Sequence, residues 1–177
     1  LEKIGNYENA LENYKKAISL NTKLSETYNN IGLIYKHLGD IELAKSFFEK
    51  AIGIDSGFLE AYYNLAMIIK HNGEEKHIPP LLSFTKKNDL DYTQKISLNF
   101  ALGKIYEDLE NFDLSFHYYK QGNDIKKKFS PNASIEPKNF FLFTKKQFLK
   151  LKSMISHTVS DSFILSIEVR IRGLNKQ

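Results

Sequence analysis

The sequence predicts an all-α solenoid of stacked helix-turn-helix units, and two observations carry that prediction. The first is Ser25 to Phe58, SETYNNIGLIYKHLGDIELAKSFFEKAIGIDSGF, where apolar and small residues recur at helical spacing on both sides of Gly39. The second is that these residues return at a fixed offset of 34. Gly5, Gly39 and Gly73 share it, as do Ala10 and Ala44, Ala17 and Ala51, and Tyr28 and Tyr62. A unit of this length leaves an apolar stripe that only a neighbouring copy can cover, so the copies must stack.

Residues 1–22 read as the second half of a repeat whose first half is missing, with Tyr14 standing 34 positions before Phe48. The expectation is that more repeats precede it or that the chain is a fragment, because a solenoid end normally carries a polar cap. The complete repeat spans 25–58. Its first helix is expected over Ser25 to Leu38, N-capped by Ser25 and ended by a left-handed Gly39, and its second over Ile41 to Ile54. Gly32, Ala44 and Ala51 allow close helix approach, while Tyr28, Ile31, Tyr35, Leu43, Phe47 and Phe48 fill the space between.

The third unit, 59–92, is degenerate. Tyr62, Leu65, Ala66 and Ile69 repeat the first helix, but Ile78-Pro79-Pro80 falls where the second should be under way. Proline is tolerated only in a first turn, so that helix is expected late, from near Pro79 to near Lys87. The fourth unit, 96–128, arrives after an insertion, since Ala66 to Gly103 is 37 positions rather than 34. Asn99, Leu102, Gly103 and Tyr106 restore the register, and Ser115 and Tyr119 take the places of Ala44 and Phe48. Helices are expected over Thr93 to Leu109 and Phe112 to Lys128.

From Phe129 the pattern changes. A Pro-containing linker, 129–137, leads to a helix expected over 138–157, rich in phenylalanine on one side and lysine on the other. A stub, 158–177, follows, with a short strand at Phe163-Ile164-Leu165.

Tyr28, Ile31, Gly32, Tyr35, Ala44 and Phe48 fall at the spacings of the tetratricopeptide pattern, with Tyr in the usual Trp place. The array, residues 1–128, resembles that family, and the resemblance implies a right-handed superhelical solenoid whose first helices line a concave, peptide-binding groove. Leu98 onward also resembles the linker of bacterial proteins that join such repeats to a sulfotransferase domain. The phosphate-cradling loop expected after the strand in that family is absent here, as SIEVRIRGLNKQ follows Leu165. No catalytic residue is carried over. The alternative this implies is a non-catalytic N-terminal fragment of a sulfotransferase, truncated or frameshifted beyond the strand.

Chemistry within the chain itself is not indicated. The absence of cysteine excludes thiol catalysis and cysteine-ligated metal sites. His37, His71, His77, His117 and His157 show no metal-ligand spacing. No nucleophilic triad or paired acid and base emerges, and no cofactor is expected. The net charge of +4 rests on lysine, with Arg170 and Arg172 the only arginines, which argues against nucleic acid. No apolar run is long enough to span a bilayer, and the cytoplasm is the expected compartment.

The candidate site is the groove. Glu26 and Glu60, Asn30 and Asn64, Lys36 and Lys70, and His37 and His71 are identical pairs at 34 residues on successive first helices, and Lys104 extends the basic strip. The asparagines are expected to bond an extended peptide backbone and the lysines to meet carboxylates. In residue type this resembles the clamp with which some family members hold an acidic C-terminus. Glu107 and Asp108 replace the Lys-His pair in the fourth unit, so the basic strip fades there. The expected partner is an acidic protein or peptide, with no membrane, nucleic acid or metal.

Overall fold

The computed structural model describes residues 2–129, with side-chain environments from Tyr7 onward. The linker, the 138–157 helix, the strand at Phe163 and the stub fall outside the described residues, except for Phe129. Seven α-helices and no strand occur among the described residues: α1 Glu2–Leu20, α2 Ser25–Leu38, α3 Ile41–Ile54, α4 Leu59–Ile68, α5 Ile78–Phe84, α6 Tyr92–Asp108 and α7 Phe112–Phe129. The result is an all-α helical repeat.

Helices α2 and α3 form one antiparallel hairpin and α6 and α7 another, and the same small residues close both. A Cβ added to Gly32 would stand 2.6 Å from Cε1 of Phe48, and one added to Gly103 would stand 2.7 Å from Cδ1 of Tyr119. Glycine lets the two helix backbones approach until an aromatic ring lies flat on one of them. Ala44 and Ala51 are wholly buried on α3. Ser115, in the place of Ala44, is equally buried, and its hydroxyl donates to the Gly103 carbonyl at 2.8 Å, so the polar substitution is satisfied.

The turn between α2 and α3 follows the expected chemistry with one change. Gly39 adopts φ 85, its N–H donates to the Lys36 carbonyl, and the Asp40 N–H reaches the Tyr35 carbonyl at 2.9 Å. Asp40 then caps α3, accepting from the Leu43 N–H at 3.1 Å. The change is at the other end of α2, where Ser25 is the first helical residue rather than its cap. Leu24 holds the cap position, without a side-chain bond.

The third unit departs further. Helix α4 stops at Ile68, and Ile69 turns extended at ψ 160. Gly73 is left-handed at φ 96, as its register with Gly39 suggests, but it now lies in a loop rather than at a helix end. The cause is a backbone bond: the His71 N–H donates to Oδ2 of Asp108 on α6 at 3.2 Å, which draws the chain off the helical path. Both prolines sit in the first turn of α5, where the missing N–H costs nothing. This helix starts at Ile78 and ends at Phe84, earlier than the expected Lys87. Helix α6 begins at Tyr92 rather than Thr93 because Asp91 and Gln94 form a reciprocal capping box.

Two apolar clusters tie the units together. Ala44, Phe48 and Leu65 join α3 to α4. Leu59, Tyr62, Ile78, Leu81, Phe84, Leu98, Leu102 and Ile105 join α4, α5 and α6. The short α5 therefore serves mainly as an apolar plug against its neighbours.

Candidate functional site

The nine predicted groove residues separate into two sets. Glu26, His37, Glu60 and Lys70 are exposed, and Asn30 and Lys36 are half-buried. Asn64, His71 and Lys104 are taken up by bonds within the protein.

The amide of Asn64, 5% exposed, donates to Oδ1 of Asn29 at 2.9 Å. Asn29 is itself buried, and its own amide donates to Oε1 of Glu60 at 3.4 Å. An asparagine pair thus links α2 to α4 where the spacing had suggested Asn30 and Asn64 as equals. The difference arises because Asn29 turns toward the neighbouring helix and is buried there.

The Lys-His pairs diverge as well. His37, in the last turn of α2, stacks on Tyr7 of α1 with ring centroids 6.0 Å apart. His71 lies beyond the end of α4 with its side chain wholly enclosed, and its Nδ1 is 2.9 Å from Oδ2 of Asp108. Lys104 bonds the other oxygen of the same carboxylate. Burial works against the charge on Asp108, but the hydrogen bonds from Lys104 and His71 outweigh it and hold its pKa below the ordinary carboxylate range.

His77 completes the cluster, its Nε2 lying 3.2 Å from Nε2 of His71. One ring nitrogen of this pair donates to the other, so the contact joins the two imidazoles by a single hydrogen bond. Burial, reinforced by His71 and Lys45, lowers the His77 pKa to about 4 against the pull of Glu75. Glu75 in turn accepts from the Asn72 and Gly73 N–H groups at 2.8 and 3.0 Å. Asp108, His71 and His77 form a continuous chain of hydrogen-bonded side chains. It clamps the loop between α4 and α5 onto α6. Among the described residues, no group of three or more histidine, aspartate or glutamate side chains is arranged to hold a metal ion.

The shortened α4 leaves a cleft of about 550 Å³ lined by Lys45, Glu49, Leu65, Ile69, Lys70 and His77, among others. Of the nine predicted residues only Lys70 lines it. Lys45 and Lys76 join Lys70 there as cations, facing Glu49 and Glu75.

An array of helical hairpins that clamp one another through buried asparagine and histidine links, while charged side chains stay exposed on the first helices, defines a helical repeat protein. Residues 25–58 and 96–129 match the family model for the tetratricopeptide repeat, and residues 3–39 match a second one described as TPR repeat. The chain is a tetratricopeptide repeat protein. The stretch between the matches, 59–95, contains the short α4 and the proline-started α5. No curated protein matches the chain. Among the described residues no helix is long and apolar enough to cross a membrane.

Proposed function

We propose that this chain is a non-catalytic scaffold that binds an acidic protein or peptide segment across its first helices. The observation that supports this is the division of the predicted pairs. Packing consumes Asn64, His71 and Lys104, yet Lys36 with Lys70 and Glu26 with Glu60 recur at the repeat interval and reach the surface, while His37 does so without its buried copy His71. Asn30, half-buried beside them, keeps the role of backbone contact. Rigid helices present these side chains with little entropy left to lose, and the lysines meet carboxylates of the partner.

The test is fluorescence anisotropy with labelled peptides ending in two or three acidic residues, against amide-tailed controls. Acidic peptides should bind, and Lys36→Glu with Lys70→Glu should weaken them about tenfold or more, mainly through association rate and salt dependence. An unchanged affinity in the double variant, with its melting temperature retained, overturns the reading.

A further inference from the structure

Helix α4 stops one turn short of the length that its own sequence supports. Leu59 to Gly73 lies in register with Ser25 to Gly39, and Lys70-His71-Asn72-Gly73 stands where Lys36-His37-Leu38-Gly39 stands in the second unit. No proline or glycine lies between Leu59 and Asn72, so no helix breaker in the sequence ends α4. Gly73 already holds the left-handed conformation of a helix-ending residue, at φ 96 against 85 for Gly39. Yet α2 runs to Leu38 whereas α4 ends at Ile68, with Ile69 extended at ψ 160.

The difference lies in where three backbone N–H groups find acceptors. In the second unit those of His37 and Leu38 bond along α2, and that of Gly39 reaches the Lys36 carbonyl. In the third unit carboxylates take all three. The His71 N–H donates to Oδ2 of Asp108 at 3.2 Å, the Asn72 N–H to Oε1 of Glu75 at 2.8 Å, and the Gly73 N–H to Oε2 of Glu75 at 3.0 Å. The His71 ring adds its own bond to Asp108. A last helical turn and a set of carboxylate bonds thus compete for the same donors, and either arrangement satisfies them.

We propose that α4 is a switch with two lengths. In the short form, described above, the carboxylates hold the N–H groups of residues 71–73 off the helix, His71 is enclosed, and Lys70 lies beyond the helix end. In the long form α4 continues to Asn72 with Gly73 as its left-handed end, and Lys70 and His71 take on α4 the places that Lys36 and His37 hold on α2. Glu74 to His77 supply the slack, since Asp40 alone separates Gly39 from α3 in the second unit. An acidic segment lying across both first helices meets two equally placed Lys-His pairs only in the long form, so its binding and the lengthening of α4 favour one another. This regulation rests on the scaffold role proposed above, whereas the two lengths of α4 do not.

Backbone NMR of the full chain reads the switch directly, because Cα chemical shifts separate helical from extended residues. Asn72→Leu copies Leu38, removes the bond that the Asn72 side chain accepts from the Glu74 N–H, and leaves the charge unchanged. It should move the Cα shifts of Ile69 to His71 toward helical values. It should also bind a peptide ending in three glutamates about threefold or more tighter, because less of the binding energy goes to lengthening α4. Asp108→Ala with Glu75→Ala removes all three carboxylate bonds and should bring the same shifts fully to helical values.

In the wild-type chain, saturation with that peptide should move these shifts in the same direction. Peptide binding that leaves them unchanged overturns the proposal, as do extended shifts in a folded chain carrying Asp108→Ala and Glu75→Ala. Should that double variant fail to fold, unchanged shifts in Asn72→Leu, a substitution at an exposed site, decide against the proposal equally. A chain that binds no acidic peptide overturns the scaffold role and this regulation of it, while helical shifts in the variants still uphold the two lengths of α4.

Discussion

Glu110 occupies, between α6 and α7, the left-handed conformation that Gly39 occupies between α2 and α3, at φ 58 against φ 85. The two turns are otherwise alike. The Asn111 N–H reaches the Tyr106 carbonyl at 2.9 Å, as the Asp40 N–H reaches Tyr35, and Oδ1 of Asn111 accepts from the Leu114 N–H at 3.2 Å. A Cβ in this region carries a penalty of roughly 1–2 kcal/mol that glycine avoids. Gly39→Ala should therefore destabilise the array by about 1 kcal/mol, and Glu110→Gly should stabilise it by about 0.5–1 kcal/mol. Urea denaturation of both variants checks the pair, and the opposite signs distinguish backbone strain from loss of side-chain contacts.

The burial of His77, with His71 beside it, makes stability depend on pH. His77 titrates at about 4 in the folded chain against an ordinary 6.5, so between those values the unfolded chain binds more protons. Stability should be full above 6.5, fall as the pH drops toward 4, and level off there as far as His77 is concerned. Asp108, whose pKa is lowered, adds a further loss at more acid pH. The groups facing His77 are His71 and Glu75 from its own loop, Lys45 from α3, and Asp108 with Lys104 behind His71. The loss by pH 4 should be roughly 1 kcal/mol rather than the full value of the shift, because solvent screens a half-buried ring. Thermal melts from pH 7.5 to 4 measure it. His77→Gln, which keeps an amide able to bond His71 but does not titrate, should flatten the slope over that window.

How much of this was legible before the structure depends on whether a feature belongs to the repeat or to one copy of it. Helix α3 was readable end to end, because Gly39, Ala44, Phe48 and Ala51 obey the same spacing as their copies. The short α4 was not, because its end is set by a bond between the His71 backbone and Asp108, which lie 37 residues apart. A partial signal did exist. In the matched register Asp108 stands in the fourth unit where His37 stands in the second and His71 in the third, so a base and an acid occupy equivalent places in adjacent copies. Taken as the fading of a basic strip, that exchange concealed a clamp. Likewise Asn30 and Asn64 are equal by spacing, whereas the buried bond belongs to Asn29, and no count of residues shows which of two adjacent asparagines faces the next helix.

Close approach at the glycines predicts a contrast among three substitutions. Gly32→Ala and Gly103→Ala place a methyl 2.6 and 2.7 Å from the rings of Phe48 and Tyr119, which are themselves fully or almost fully buried and have little room to shift. Each should destabilise by about 1–3 kcal/mol through overpacking. Gly53, near the end of α3, has nothing within 4 Å of an added Cβ, so Gly53→Ala should stabilise by about 0.5 kcal/mol through helix propensity and reduced freedom of the unfolded chain. Equal effects at all three positions would show that the hairpins are not held at the separation described. Chemical denaturation with an unchanged denaturant slope is the measurement.

The bond between Asn29 and Asn64 should couple the second and third units energetically. Replacing Asn64 with alanine leaves Oδ1 of Asn29 without its partner at a position 1% exposed, and replacing Asn29 strands the Asn64 amide while also releasing Glu60. Either single variant should therefore lose about 1–3 kcal/mol, most of it the cost of an unsatisfied buried group rather than the value of the bond. Removing both partners leaves nothing unpaired between them, so the double variant should lose less than the sum of the singles. The shortfall expected for such a neutral, buried pair is about 1 kcal/mol. Additive losses would mean that the two amides act independently and that the apolar cluster of Ala44, Phe48 and Leu65 alone joins these units. A shortfall, together with a broadened unfolding transition in the singles, would identify the asparagine pair as the polar link through which the two repeats unfold as one.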